Sequence, residues 1–297
     1  MRVVHSPRYE IDVGAHVYPT AKYGAVCARV IRAGILKRSA IVQPQSATWA
    51  ELGLVHTPGY LDKVRRGTLT ALEIANLEIP WSASIVDGFR LVSGGTIVAS
   101  RMALRGGVVV HLGGGFHHAF AGHGEGFCLF NDVAVALRVL RREGEVEIAA
   151  VLDCDVHQGN GTARIFEEDP AVFTCSMHQQ NNYPLNKPPS SLDIALADGV
   201  GDSEYLAHLQ VALAAVSAAD PDLLVYLAGA DPYEDDQLGG LALTQSGLRE
   251  RDRQVFQFAS SLGVPVVVVL AGGYARRFNA TVSIHTATVE EAVATDA

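Results

Sequence analysis

The sequence predicts an α/β fold in which helices cover both faces of a mostly parallel sheet, a three-layer α/β/α arrangement. From residue 107 onward, short apolar runs alternate with segments whose apolar residues recur at helical spacing. The apolar runs, such as EIAAVL and VPVVVVLA, are continuous, which is typical of strands buried on both faces. Alternation of this kind favours parallel strands joined by crossover helices.

Each predicted element follows from its local pattern of apolar residues. The predicted strands are GVVVHLG, EIAAVLD, AVFTCSM, LDIALA, DLLVYLAGA and VPVVVVLAGG, with RVVH as a further candidate near the start. The predicted helices are TAKYGAVCARVIRAG, PGYLDKVRRG, SIVDGFRLVSGGTIVASRMALRG, NDVAVALRVLRREGE, GNGTARIFEED, DSEYLAHLQVALAAVSAAD and TQSGLRERDRQVFQFASSLG. Asp202 or Ser203 is expected to cap the sixth of these helices.

Length and composition indicate one well-cored domain over residues 1–297. The chain is 48% hydrophobic and 19% charged, and it contains no low-complexity linker or internal repeat. Its formal net charge of −9 comes without a cluster of Lys and Arg, so no nucleic-acid partner is expected. An acidic surface suits a cationic substrate, although the same charge also serves ordinary solubility.

No segment predicts secretion or membrane insertion. The N-terminal stretch MRVVHSPRYEID lacks the apolar core of a signal peptide, and no apolar run approaches the roughly 18 residues that span a membrane. Cys27, Cys128, Cys154 and Cys175 form no CxxC pair, and two of them lie in predicted strands. We therefore expect reduced thiols in a cytoplasmic protein without a membrane partner.

Polar residues follow a buried strand in the segment LDCDVHQGNG. If the strand continued to His157, then Asp153, Asp155 and His157 would share one face. Two carboxylates and an imidazole are costly to bury unless a charge or a hydrogen-bond partner meets them. Together with Asp231, Asp155 and His157 form a ligand set that suits a catalytic zinc ion. For Asp-x-His alone, the alternative is a turn carboxylate beside a surface histidine.

Two adjacent histidines follow a triple glycine in HLGGGFHHAF. His117 and His118 could bind metal, act as acid and base, or take no part in chemistry. Asp153 could accept a hydrogen bond from the His117 ring, and Asn160 could accept one from the His118 ring. A carboxylate raises an imidazole pKa more than a neutral amide does. This difference predicts His118 as the general base and His117 as the more cationic partner.

Aromatic residues stand in the loops around these segments. Tyr274 follows two glycines in LAGGYARR, where its phenol could donate to a developing oxyanion. Phe127, which follows Gly126, and Tyr183 could wall a narrow apolar channel. The alternative for each aromatic side chain is packing against its own loop.

Five ordered motifs resemble the zinc-dependent histone deacetylase family: GGGFHHA, GFCLFNDVAVA, DCDVHQGNGTA, AGADPYEDDQLGGL and GGYARR. The resemblance covers nearly the whole chain and points to the class IV branch and its bacterial relatives. It implies the arginase-deacetylase fold, with an eight-stranded mostly parallel sheet in one α/β domain. It also implies an enzyme that removes acetyl or longer acyl groups from lysine side chains of a protein or peptide, using water activated by a metal.

The resemblance carries a role onto each candidate residue. It implies one zinc ion on Asp155, His157 and Asp231, acid–base work by His117 and His118 with their partners Asp153 and Asn160, an oxyanion role for Tyr274, and channel walls at Gly126, Phe127 and Tyr183. It further implies a structural K⁺ held by Asp153, the Ser176 hydroxyl and the main-chain oxygens of Asp155, His157 and Met177.

A single catalytic metal is expected, because Gly159 and Tyr233 stand where the related two-metal ureohydrolases need further carboxylates. Two other functions stay open. One is an amidohydrolase for acetylpolyamines or other acylated small amines. The other is a catalytically weak scaffold that binds acyl-lysine, which is disfavoured because every catalytic position holds a competent residue.

Overall fold

A computed structural model of the protein describes residues 1–295, and within that range eight strands form one sheet. In chain order the strands are β1 (Val3–Val4), β2 (Ile41–Val42), β3 (Val108–His111), β4 (Ala149–Asp153), β5 (Val172–Gln179), β6 (Leu192–Leu196), β7 (Leu223–Leu227) and β8 (Val266–Val269). Across the sheet they lie in the order β2-β1-β3-β8-β7-β4-β5-β6, and every neighbouring pair is parallel. The predicted parallel α/β fold is confirmed, and the two-residue edge strand β2 is an addition to it.

Helices connect the strands and cover both faces of the sheet. In chain order they are α1 (Ala21–Arg32), α2 (Trp49–Leu52), α3 (Pro58–Arg66), α4 (Ala71–Leu77), α5 (Ala83–Gly106), α6 (Asp132–Arg142), α7 (Asn160–Phe166), α8 (Asp202–Ala218), α9 (Gln245–Leu262) and α10 (Phe278–Thr295). Of these, α2, α4 and α10 have no counterpart among the predicted helices. Across residues 1–295, none of the helices has the length and apolar character needed to cross a membrane.

Alternate residues of the central strands enter two separate cores, which explains why these strands read as continuous apolar runs. Val225 and Val267 pack in a core with side chains from α5, α6 and α7, whereas Leu224 and Val268 pack in a core with side chains from α1, α8, α9 and α10. Removing apolar surface from water on both faces stabilises the sheet by roughly 25 cal/mol per Å². The parallel strands then deliver the loops after their C-terminal ends to one edge.

The expectation that Asp153, Asp155 and His157 share one strand face is wrong, whereas the predicted strand EIAAVLD ends at the right residue. The strand ends at Asp153, whose Oδ1 accepts the backbone N–H of Asp155 at 3.1 Å. Asp155 Oδ1 in turn accepts the backbone N–H of His157 at 2.9 Å. Bonds from an aspartate side chain to the backbone two residues on favour a turn over an extended strand. The three side chains therefore take their directions from this turn and not from the pleat of a sheet.

The predicted cap of α8 is also wrong. Gly201 is the N-cap residue, and no side chain makes a capping bond there. The carboxylate of Asp202 instead accepts the backbone N–H of Thr244 at 2.8 Å and its hydroxyl at 2.6 Å. Asp202 thus connects the start of α8 to the start of α9, where Thr244 is the N-cap residue.

A buried histidine between α2 and α3 holds the loop that runs from β3 to α6. His56 Nδ1 donates to Phe120 O at 3.0 Å, while Nε2 accepts the backbone N–H of Asn131 at 3.1 Å. Asn131 caps α6, and its amide also donates to Ala119 O and Thr162 Oγ1. One donating and one accepting nitrogen require a neutral imidazole. Burial lowers the pKa of His56 to about 4, although backbone hydrogen bonds oppose the shift.

Replacing His56 should reduce the acid sensitivity of the fold. Its folded pKa of about 4 lies below the ordinary 6.5, so the unfolded state binds more protons between these two values. The stability that neutral His56 contributes is present above about pH 6.5 and is lost as the pH falls toward about 4. In urea denaturation, the unfolding free energy of the native protein should fall more steeply with acidification through this range than that of His56→Gln.

His208→Gln is the matched control for this comparison, because it removes a histidine from α8, which packs mainly against α9, β5 and β6. Its dependence on pH should follow the native protein. Equal slopes for the native protein and His56→Gln would contradict the prediction.

Candidate active site

Loops that follow four neighbouring strands meet at one edge of the sheet. The loops after β3, β4, β7 and β8 carry, in that order, His117 with His118, Asp155 with His157, Asp231, and Tyr274. Because the C-terminal ends of parallel strands share one edge, these side chains converge although they are far apart in the chain.

Asp155, His157 and Asp231 form a buried cluster that could hold a metal ion. One ligand atom from each residue lies within 4.8 Å of the others. His157 Nδ1 lies 3.0 Å from Asp155 Oδ1 and 3.6 Å from Asp231 Oδ2. Burial and the charge of Asp155 raise the pKa of Asp231. The arrangement therefore concentrates negative charge that needs a cation beside it.

Backbone from the loop after β8 closes the rear of the two carboxylates. The N–H of Gly272 donates to Asp155 Oδ2 at 2.8 Å. A Cβ at position 272 would lie 1.8 Å from Asp231 Oδ2 and 2.6 Å from Asp155 Oδ2, so glycine is required for this close approach. Asp231 Oδ1 accepts the backbone N–H of Val156 at 3.0 Å. Asp231 Oδ2 is buried and has no hydrogen-bond partner within the described part of the chain.

The loop that carries the tandem histidines is held by Asp132 at the first position of α6. Its carboxylate accepts the backbone N–H of Gly115 at 3.1 Å, the backbone N–H of Phe116 at 2.7 Å and the hydroxyl of Thr96 at 2.5 Å. All of these groups are buried, and together the bonds offset the cost of burying a carboxylate. The backbone just before His117 is thereby fixed.

His117 and His118 bind different partners, and the structure brings each to the partner considered from the sequence. His117 Nδ1 lies 2.6 Å from Asp153 Oδ2, and His118 Nδ1 lies 2.7 Å from Asn160 Oδ1. The two imidazole centroids are 4.0 Å apart. Because both partner atoms are oxygens that accept, each imidazole donates from Nδ1.

The two imidazoles differ in their pKa values. At His117, burial disfavours the charge, but the charges of Asp153 and Asp155 outweigh it and raise the pKa to about 9. At His118, burial acts with the nearby His117 and His157 to lower the pKa well below its ordinary value. At neutral pH the pair therefore holds one cationic ring and one neutral ring, and the neutral one has a free lone pair at Nε2.

Aromatic side chains wall a cavity of about 180 Å³ that leads to the cluster. The ring of Phe127 is stacked on that of Tyr18 with centroids 6.0 Å apart, and it stands edge-on to Tyr274 at 6.0 Å. On the opposite side, the ring of Tyr183 stands edge-on to His118 at 4.9 Å. The cavity is therefore narrow, with apolar walls and polar groups at its inner end.

Gly126 fits between the wall and the histidines. It has a positive φ of +51°, and a Cβ there would lie 2.9 Å from His118 Cδ2 and 3.0 Å from Tyr183 Cε1. A larger residue at this position would push Tyr183 and His118 apart. The glycine thus allows the wall to pack directly on the imidazole.

Tyr274 lines the cavity beside the cluster, and its backbone is fixed on both sides. Its N–H donates to Asp236 Oδ2 at 2.7 Å, and its carbonyl accepts from Gln237 Nε2 at 2.8 Å. Burial, together with the charges of Asp155 and Asp231, raises the pKa of the Tyr274 phenol well above its ordinary value. The phenol consequently stays protonated and can donate a hydrogen bond.

The residues predicted to hold K⁺ lie on the neighbouring strands β4 and β5 and in the turn after β4. Ser176 of β5 pairs with Asp153 of β4 in the sheet register, and Met177 follows it as a fully buried residue. Ser176 Oγ lies 3.0 Å from His178 Nδ1. Binding of K⁺ here stays a prediction.

Sequence reasoning missed two charged residues beside the site. Glu125 Oε1 accepts hydrogen bonds from Asn160 Nδ2 and Tyr183 Oη, both at 2.7 Å. Lys22 on α1 is fully buried, and its Nζ donates to Ala271 O at 2.6 Å. Burial lowers the pKa of Lys22 to about 8 against the opposing charges of nearby aspartates. A glutamate in a loop and a lysine in a helix are ordinarily solvated, so neither gave a signal in the sequence.

The family model for the histone deacetylase domain matches residues 16–290. The chain belongs to the histone deacetylase family. It is therefore a hydrolase of that family, as the ordered motifs predicted.

Relatives and solved histone deacetylase structures cover nearly the whole chain. An uncharacterized protein of Picosynechococcus is 39% identical over 288 residues, which make up 95% of each chain. Histone deacetylase 2 of Arabidopsis thaliana is 31% identical over 286 residues, 92% of this chain and 74% of the relative. The crystal structure of an HDAC homologue complexed with SAHA has a TM-score of 0.85 over 99% of this chain and 84% of that chain. At 23% identity, that likeness shows the shared fold.

The histone deacetylase family is zinc-dependent, and the buried cluster fits a divalent ion. Burial lowers the pKa of His157, but its hydrogen bond to Asp155 and the nearby Asp231 carboxylate outweigh that effect and raise the pKa to about 10. A protonated imidazole thus sits where the two carboxylates need positive charge, and Asp231 Oδ2 has an unused lone pair. A divalent ion would supply the charge and release the imidazole proton. Two carboxylates and one imidazole are also a donor set that zinc accepts.

Replacing Gly272 should weaken metal binding, because the new Cβ would displace both carboxylates. We expect Gly272→Ala to bind zinc roughly tenfold to a hundredfold more weakly than the native protein. Competition with a chromophoric chelator measures the affinity. Gly24→Ala on α1 is the control, since a Cβ there meets nothing within 4 Å. Native zinc affinity in Gly272→Ala would show that the crowding has no consequence for the metal.

Proposed function

We propose that the protein is a zinc-dependent hydrolase that removes acetyl or longer acyl groups from lysine side chains. The observation that supports this most is the juxtaposition of three features at the inner end of one narrow cavity. They are a carboxylate–imidazole cluster suited to a divalent ion, a neutral and a cationic imidazole side by side, and a protonated phenol.

Different residues would bind the metal ion, accept a proton from water and stabilise the oxyanion during amide hydrolysis. Asp155, His157 and Asp231 would hold the zinc ion, which when bound supplies Lewis acidity toward the amide carbonyl and toward water. His118 accepts the proton of the attacking water at Nε2, because Nδ1 is occupied by its bond to Asn160. Tyr274 donates its phenolic proton in a hydrogen bond to the carbonyl oxygen as negative charge develops there.

Product formation needs a proton on the leaving nitrogen. One of the two histidines gives a proton to the amine as the carbon–nitrogen bond breaks, so that the products are a free amine and a carboxylate. His117 is suited to stay cationic through the reaction, because its contact with Asp153 stabilises the charged ring. A K⁺ ion beside Asp153 and Ser176 is part of the same proposal, in a structural role.

The walls of the cavity support an acyl-lysine substrate. Phe127 and Tyr183 form the aromatic walls, and such surfaces suit the methylene chain of an uncharged acylated lysine. A second candidate substrate is an acylated small amine with a further positive charge. Glu78 also lines the cavity, and its carboxylate favours a cationic group near the mouth.

A panel of substrates separates these candidates. Peptides with a single acyl-lysine, from acetyl to myristoyl, are compared with acetylpolyamines by measuring kcat/KM on the same zinc-loaded preparation. We expect the highest kcat/KM for an acyl-lysine peptide, and loss of turnover after chelation with recovery on adding zinc. Turnover of acetylpolyamines alone would favour the small amine, and binding of peptides without turnover would favour a scaffold.

Removing the phenol of Tyr274 should slow the chemical step without loss of metal. For Tyr274→Phe we expect kcat to fall on the order of 10²–10³-fold, as when one oxyanion donor is removed. Zinc content by mass spectrometry should equal that of the native protein. The control is Tyr60→Phe, which also removes a buried phenol, one that donates to Leu129 O at 2.8 Å outside the cavity. Native kcat in Tyr274→Phe would remove this residue from the mechanism.

A further inference from the structure

A half-buried carboxylate outside the catalytic cavity contacts the hydrogen-bond partner of His118 and a wall of the cavity. Glu125 lies in the loop between β3 and α6, and its side chain is 23% exposed. Its Oε1 accepts from Asn160 Nδ2 and from Tyr183 Oη, while Oε2 lies 3.4 Å from His123 Nε2. The two short bonds come from groups that the deacylation chemistry uses, one a partner of His118 and the other a wall of the cavity.

The contact with Asn160 determines which way its amide faces. Asn160 Oδ1 accepts from His118 Nδ1 at 2.7 Å and from the backbone N–H of Gly161 at 3.0 Å. If the amide were rotated by half a turn, its oxygen would face the Glu125 carboxylate and its NH₂ would face the Gly161 N–H. Oxygen would then oppose oxygen, and donor would oppose donor. Since bonds to an ionised group are the stronger ones, Glu125 makes the larger contribution to this preference.

The orientation of the amide sets the position of the proton on the neutral imidazole. An oxygen facing Nδ1 requires the proton at Nδ1 and leaves the lone pair at Nε2. A reversed amide would present NH₂ to Nδ1 and would move the proton to Nε2, where it would block acceptance of a proton from water. Partners of this kind commonly fix the tautomer of a histidine.

We propose that Glu125 is a positioning residue for the deacylation reaction: it orients the amide of Asn160 and thereby keeps the lone pair of His118 at Nε2. The inference rests on the proposed role of His118 as general base. It deepens that role by naming the group that selects the reactive tautomer. The same oxygen of Glu125 also holds the Tyr183 phenol, so one carboxylate fixes both the base and the wall that packs on it.

The competing explanation is that Glu125 only holds the loop that carries Tyr183. Measuring kcat for Glu125 variants in both the native and the Asn160→Asp backgrounds distinguishes this explanation from orientation of the Asn160 amide. In the native background, Glu125→Ala should lower kcat roughly tenfold to a hundredfold. Glu125→Gln should keep most of the activity, because its Oε1 can accept both bonds. An aspartate at position 160 has no amide to orient, and its carboxylate would oppose that of Glu125. In that background, Glu125→Ala and Glu125→Gln should raise kcat.

If Glu125 acts by orienting the Asn160 amide, Glu125→Ala should lower kcat in the native background and raise it in the Asn160→Asp background. If Glu125 only supports the loop of Tyr183, the same substitution should lower kcat equally in both backgrounds. A further arm uses Tyr183→Phe, which removes the phenol but keeps the Asn160 contact. Glu125→Ala should still lower kcat in that background by a similar factor. Equal losses in the native and Asn160→Asp backgrounds, or no further loss in the Tyr183→Phe background, would overturn the proposal.

Nitrogen-15 NMR of the histidine side chains reads the tautomer directly and does not depend on turnover. The purified protein, with and without added zinc, should show His118 protonated at Nδ1 in the native and Glu125→Gln forms. Glu125→Ala should show a population protonated at Nε2. An unchanged Nδ1 tautomer in Glu125→Ala would overturn the assignment even if kcat fell. If no acyl substrate were turned over, the proposed function would fail while this measurement still decided the orientation.

Discussion

Two carboxylates buried side by side are the constraint around which this molecule is organised. Asp155 and Asp231 lie at the edge of the sheet with an imidazole between them, and burial without compensating charge would be strongly unfavourable. The turn after β4, the glycine at position 272 and the parallel register that brings β4 beside β7 all serve to hold them there. Asp155 also contributes to the raised pKa of His117, and both carboxylates add to the effect of burial in raising the pKa of the Tyr274 phenol.

The sequence was informative wherever the chain places reactive groups directly after a buried strand. Apolar runs gave the parallel sheet, and polar residues at the ends of those runs gave the cluster and the tandem histidines. The direction of individual side chains did not follow in the same way. Asp153, Asp155 and His157 were expected on one strand face, but two side-chain–backbone bonds make a turn there. Asp202 likewise binds the start of the next helix instead of capping its own.

Very short strands and charged residues that become buried on folding could not be predicted from the sequence, and each has a physical reason. A two-residue strand such as β2 has too few residues to show any period. Lys22 and Glu125 make their shortest hydrogen bonds with partners distant in sequence. Lys22 meets Ala271 across 249 positions, and Glu125 meets Asn160 and Tyr183 across 35 and 58. No local pattern contains that information, and these contacts are also the ones that distinguish this site from a bare ligand set.

The backbone packs closely behind the two carboxylates, and this packing limits the route by which a metal ion could reach or leave the site. Gly229 and Gly272 leave no room on the inner side of Asp155 and Asp231, whereas Asp155 and His157 border the aromatic cavity. An ion would enter and depart by the route that a substrate takes. A bulky chelator would therefore have to wait for spontaneous dissociation, whereas a slender one could reach the ion in place. The rate at which a chelator removes the metal ion would depend more on the width of the chelator than on its affinity for the ion.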